Sequence, residues 1–114
     1  MVGHTGSLTA TIQAVEFVDI CLGQVLEEIT KQNGIAFVVA DHGNAEQMIN
    51  PQTGDPDTEH TTNPVPFTIV GTEDRIKSIK MKNDGILANV TPTILDVMAM
   101  AKPISMLNNS LIIK

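Results

Sequence analysis

The chain has 114 residues and a formal net charge of −6, from 13 acidic and 7 basic side chains. That length allows one domain at most, with about two thirds of its unfolded surface buried. The acidic balance and scattered bases exclude a nucleic-acid groove, and a single cysteine excludes an internal disulfide.

In chain order, residues 7–32 read first, as one long amphipathic helix. Ile12, Val15, Val18, Leu22, Val25, Leu26 and Ile29 recur at spacings of three and four and make a single apolar face. Ser7 or Thr9 can cap its start, and Asn33-Gly34 ends it, with the glycine expected in the left-handed conformation. Gly23 within it costs about 1 kcal/mol against alanine. Cys21 is expected to be a buried, inert thiol on this helix.

Ile35-Ala36-Phe37-Val38-Val39-Ala40 is an unbroken apolar run, the pattern of a strand covered on both faces in a parallel sheet. Residues 50–57 are turn formers, so the stretch between His42 and His60 is a loop. A second strand is expected over 65–71, with Pro64 and Pro66 placing its beginning near an edge. Residues 76–81 are expected to form a weak third strand. Four of the seven bases lie from Arg75 to Lys82, which reads as a solvated edge. Thr91-Pro92 predicts the N-cap and first position of a helix running to about residue 100, before Lys102-Pro103 stops it. The expected class is α/β, with helices layered on a mostly parallel sheet. No run approaches the ~20 apolar residues of a bilayer span, and no leader sequence is evident. The expectation is a cytoplasmic protein without nucleic-acid or membrane partners.

Chemistry concentrates at the strand ends. Asp41 and His42 follow the first apolar run directly, at the sheet edge where ligands bind in such folds. Their mixed oxygen and nitrogen donors suit Mn²⁺, Zn²⁺ or Co²⁺, although a turn aspartate beside an exposed histidine would look the same. His60 in a polar loop and His4 near the chain start carry no such signal alone. Gly3-His4-Thr5-Gly6 lacks the lysine of a phosphate loop.

Taken together, Ala40-Asp41-His42-Gly43-Asn44-Ala45-Glu46-Gln47-Met48 and His60-Thr61-Thr62-Asn63-Pro64-Val65-Pro66-Phe67 resemble the C-terminal part of the cofactor-independent phosphoglycerate mutases, of the alkaline phosphatase superfamily. Met1-Val2-Gly3-His4-Thr5-Gly6 at one end, and Gly85 to Asp96 with Ser110-Leu111-Ile112 at the other, match in the same order. The resemblance implies that residues 1–114 are the C-terminal part of the metal-binding phosphatase domain, with the transferase domain and the N-terminal segment elsewhere. It implies two manganese ions, one on His4 and His60 and the other on Asp41 and His42, with Zn²⁺ or Co²⁺ as substitutes.

The family reaction interconverts 3-phosphoglycerate and 2-phosphoglycerate through a phosphoserine, in glycolysis and gluconeogenesis. Its nucleophilic serine and substrate-binding arginines and lysine have no counterpart here. Ser7, Ser78, Ser105 and Ser110 do not match the nucleophile. Departures are small: Asp57 stands where many members have histidine, and Asn50 and Asn89 where aspartate is frequent. The expectation is a chain inactive alone, whose sheet is completed by a separate N-terminal half or by self-association. A non-catalytic subunit, an inactive remnant, or another phosphomutase or phosphatase of the superfamily are the alternatives.

Overall fold

A computed structural model describes residues 2–113. Helix α1 (Leu8–Lys31) begins where expected, with the Ser7 side chain accepting from the Ala10 N–H at 3.4 Å. Lys31 pairs with Glu27 at 3.0 Å in its last turn. The left-handed residue after the helix is Asn33 (φ 53°), one position before the predicted glycine. Asparagine tolerates that conformation. Gly34 donates to the Ile29 carbonyl at 2.9 Å and lies against the Ile29 side chain, so its bare backbone serves a close approach instead.

The two strands, β1 (Ala36–Val39) and β2 (Phe67–Val70), pair antiparallel with Phe37 opposite Ile69 and Val39 opposite Phe67. This corrects the expected parallel sheet for the described residues, where the named strands form one two-stranded antiparallel sheet. An apolar run reports coverage on both faces and says nothing about the direction of the neighbouring strand. The predicted third strand is also corrected. Residues Asp74–Lys77 form a single helical turn, α2, with Asp74 in its first turn and Arg75 and Lys77 in its last, the charge order a helix dipole favours. Only Met81 makes a strand-like bridge, to Ile112.

Helix α3 (Val90–Val97) follows a 3-10 turn over Leu87–Asn89. It starts one residue before the predicted N-cap, and Pro92 still falls in the first turn, where a missing N–H costs nothing. Thr93 is fully buried. Its hydroxyl donates to the Asn89 carbonyl at 2.7 Å and accepts from the Leu111 N–H at 3.0 Å, stitching the C-terminal segment to the helix. Arg75 Nη1 donates to the Val97 carbonyl at 3.0 Å, satisfying an orphan acceptor at the end of α3.

Little of the apolar surface is covered. Met48, Ile76 and Val97 are the buried hydrophobic side chains among the described residues, while Phe17 (67% exposed), Val18 (63%) and Ile20 (59%) stand open on α1. Cys21 is exposed too, correcting the expected buried thiol, because nothing packs over the middle of this helix. The radius of gyration is 16.9 Å, against about 13 Å for a closed domain of this length. The accessible surface is 8212 Å², roughly 2,100 Å² more than the roughly 6,100 Å² of a folded monomer of this mass.

By length and composition α1 can cross a membrane, contrary to the expectation that no segment qualifies. Glu16 and Asp19 lie well inside it, however, and an aspartate near the middle of a span costs about 3 kcal/mol. Length and composition alone are thus weak evidence for a membrane span.

Candidate metal centre

Three segments converge at one end of the sheet. The 3-10 turn Val2–Thr5 carries His4, the turn after β1 carries Asp41 and His42, and the loop before β2 carries His60. All three histidines meet there. The His42 and His60 rings stack with centroids 3.6 Å apart, and His4 lies 5.1 Å from His60. Asp41 is exposed and places Oδ1 3.7 Å from His42 Nε2.

Backbone hydrogen bonds hold these segments in place. Gly43 and Thr61 form an antiparallel bridge, with the Thr61 N–H donating to the Gly43 carbonyl at 2.9 Å. The Asn44 side chain donates to the Glu59 carbonyl at 2.9 Å. Its carboxamide oxygen fills the space a Cβ would need at the buried Gly3, so only glycine lets the His4 turn sit this close. His4 Nδ1 lies 2.7 Å from the Thr58 carbonyl and His42 Nδ1 lies 3.1 Å from the Gly43 carbonyl. A carbonyl can only accept, so each Nδ1 carries the proton and each Nε2 is left as a lone-pair donor. Ligating histidines are commonly oriented in this way.

Residues outside the expected ligand set stiffen the loops. Glu46 Oε2 accepts from the Asn44 N–H at 2.6 Å, and Oε1 accepts from the Thr61 hydroxyl and from Asn63 Nδ2, the latter at 3.0 Å. The Thr61 bond first, then the backbone and Asn63 donors, pull the Glu46 carboxyl down to about 2. Asp57 accepts from Gln47 at 2.7 Å, and Asn50 Oδ1 accepts from the Gln52 and Thr53 N–H groups, so the positions that depart from the family pattern serve the loop's own turns. Sequence reading passed over Glu46. No local pattern marks it, because its partners Thr61 and Asn63 lie 15 and 17 residues away.

Chemically, the donors are imidazole nitrogen and carboxylate oxygen, a set that suits Mn²⁺, Zn²⁺ or Co²⁺. The shell is partial: among the described residues no group of three or more His, Cys, Asp or Glu side chains is arranged to hold one metal ion. Beside Asp41 and His42 opens a cleft of about 840 Å³, walled in part by Val39, Val65, Phe67, Ile86 and Leu111.

Comparison with known proteins gives the chain's family. Residues 1–102 match the family described as the Metalloenzyme superfamily. The chain is 50% identical, over its full length, to 22% of the 2,3-bisphosphoglycerate-independent phosphoglycerate mutase of Clostridioides difficile (strain 630). It is 48% identical, over its full length, to 21% of the enzyme of that name from Chloroflexus aggregans. A crystal structure of Leishmania mexicana phosphoglycerate mutase at low cobalt concentration superimposes with a TM-score of 0.81 and 36% identity, over 98% of this chain and 23% of that one. The chain thus spans about a fifth of the length of the curated relatives it matches.

Proposed function

The chain belongs to the metalloenzyme superfamily, and from that premise we propose that it is the C-terminal, metal-binding part of a cofactor-independent phosphoglycerate mutase. The complete enzyme would interconvert 3-phosphoglycerate and 2-phosphoglycerate through a phosphoserine, as a cytoplasmic enzyme of glycolysis and gluconeogenesis. The observation that carries the reading is the meeting of His4, His42 and His60, drawn from three separate segments, with His42 and His60 stacked, His4 tilted against His60, and Asp41 beside His42.

In this reading His4 and His60 serve one divalent ion, and Asp41 and His42 the other, with manganese the expected metal and zinc or cobalt able to replace it. The ions supply Lewis-acid neutralisation of phosphate charge when bound. The chain's own part is orientation. The Thr58 and Gly43 carbonyls fix the tautomers of His4 and His42, presenting Nε2 as the donor. The missing carboxylate ligands, the serine nucleophile and the substrate clamps belong to the portion of the mutase that this chain lacks.

The same portion is the proposed partner. An excess of about 2,100 Å² of surface is the scale of a large protein–protein interface, and the exposed Phe17, Val18 and Ile20 supply its apolar centre. The apolar cleft beside His42 fits a packed chain segment better than a phosphorylated acid. A second copy is the weaker candidate, since two surfaces of net charge −6 repel.

Calorimetric titration of the chain with Mn²⁺ or Zn²⁺ tests the metal reading. Weak binding is expected, with His60→Ala weakening one site and Asp41→Ala the other. Identical titrations for the parent chain and both variants would sink the assignment.

A further inference from the structure

Glu46 lies outside the ligand set, yet it is the most heavily hydrogen-bonded carboxylate of the centre. Its two oxygens join the two loops that carry His42 and His60. On the first side is the Asn44 N–H, two residues after His42. On the second are the Thr61 hydroxyl, adjacent to His60, and the Asn63 amide. We propose that Glu46 is a positioning residue, a carboxylate clasp that fixes the spacing of His42 and His60 and so prepares the two metal sites.

Every partner of Glu46 is a donor: a backbone N–H, a hydroxyl and a side-chain amide. Only an ionised carboxylate offers acceptors on both oxygens. Glutamine has the same shape but must turn an NH₂ group toward one of these donors. If its oxygen keeps Thr61 and Asn63, the Asn44 N–H faces a second donor; if the amide flips, the bonds from Thr61 and Asn63 to a charged oxygen are lost and Asn63 keeps only its longer bond to Gln47 at 3.5 Å. The clasp is weakened either way. Gly43 tightens the arrangement, because a Cβ there would overlap both the Thr61 hydroxyl and the Glu46 carboxylate. A side chain at position 43 would therefore have to displace the clasp's own groups. A role as a local turn acid alone would need only the Asn44 bond. The bonds to Thr61 and Asn63 span 15 and 17 residues and reach the other loop.

The inference rests on the metal reading, and the test separates the two. The chain and its Glu46→Gln, Thr61→Val and Thr61→Ser variants are compared, without metal by histidine ring-proton NMR and with cobalt by absorbance titration. In the parent chain, stacking at 3.6 Å should displace the His42 and His60 ring resonances. Glu46→Gln and Thr61→Val should each reduce that displacement and weaken cobalt binding about tenfold or more, the usual consequence of losing an outer partner of a ligand. Thr61→Ser, which keeps the hydroxyl, should behave like the parent. Combining Glu46→Gln with Thr61→Val should cost no more than either alone, because both open one clasp.

Should the parent chain take up no cobalt, the metal reading fails and the ring resonances alone decide the clasp. Unchanged ring resonances in Glu46→Gln overturn it, as does full cobalt affinity in that variant or additive losses in the double variant. If Glu46→Gln does not fold, the contrast between Thr61→Val and Thr61→Ser carries the same decision.

Discussion

Helix α1 and the paired loops around His42 and His60 make opposite use of the chain. The helix satisfies its backbone internally and leaves its side chains open, with Val18 63% exposed. The loops have almost no regular structure, yet their polar groups find partners 15 to 54 residues away. Hydrogen bonds between short polar side chains close within a small radius, so the loops complete themselves. An apolar face needs area, and this chain has too few layers to cover it. The described residues therefore pair well-connected loops, carrying a partial set of metal ligands, with a largely uncovered helix.

The widest test of that contrast is catalytic. The proposed division of labour leaves the nucleophile outside this chain, and losing a nucleophile costs on the order of 10⁶ in turnover. Purified chain with manganese and 3-phosphoglycerate should form no 2-phosphoglycerate in a ³¹P NMR assay. Co-expression with the remaining portion of a relative's mutase should restore manganese-dependent turnover and give one complex by size-exclusion chromatography. Turnover by the chain alone that vanishes in His42→Ala would mean that the centre is complete without a partner.

Next come paired truncations. Ile76, on α2, is 4% exposed, and Ile76→Ala should cost about 2–5 kcal/mol in urea unfolding of the chain. Val18→Ala on α1 should stay within about 0.5 kcal/mol, then become strongly damaging once the partner portion is present. Equal costs for the two in the isolated chain would show that α1 is covered after all. Thr93→Val should fall in between, at about 1–3 kcal/mol, because it strands the Leu111 N–H and the Asn89 carbonyl around a fully buried site.

The smallest effect is with pH. The Glu46 carboxyl is held down from 4.5 to about 2, so its ionised form favours the folded loops. That contribution is complete above pH 4.5 and fades as pH falls toward 2. The His42 and His60 loop resonances should lose dispersion over that window, and Glu46→Gln should remove the dependence while α1 helicity is unaffected. A pH-independent loop would argue against an ionised clasp.

The sequence spoke clearly where structure is local. The heptad-like spacing and Ser7 located α1, and the apolar runs located β1 and β2. Motif resemblance picked out His4, Asp41, His42 and His60, which do lie together. It was silent where an outcome depends on what lies across from a residue. One strand's apolar run does not encode an antiparallel neighbour, and the helical spacing of Cys21 does not reveal that its face goes uncovered. Residues 76–81 have strand-like apolar positions, but the order of charges from Asp74 to Lys77 favoured a helical turn. Glu46 was invisible for a related reason: its value comes from Thr61 and Asn63, and only the fold brings them within reach.

Among the helices and strands, α1 packs chiefly against the turn at Val2–Thr5. Its amide protons are then guarded by its own hydrogen bonds and by little else, and a solitary helix frays within microseconds. Opening of α1 need not await opening of the loops, so two separate cooperative units are the expected outcome in native-state hydrogen exchange. Hydrogen exchange in α1 would follow helix–coil equilibria, while the Thr93 and Gly43 regions keep the slower clock of the packed part. If the proposed partner portion docks on α1, exchange there should slow to the pace of the packed part, so protection of α1 would gauge that assembly.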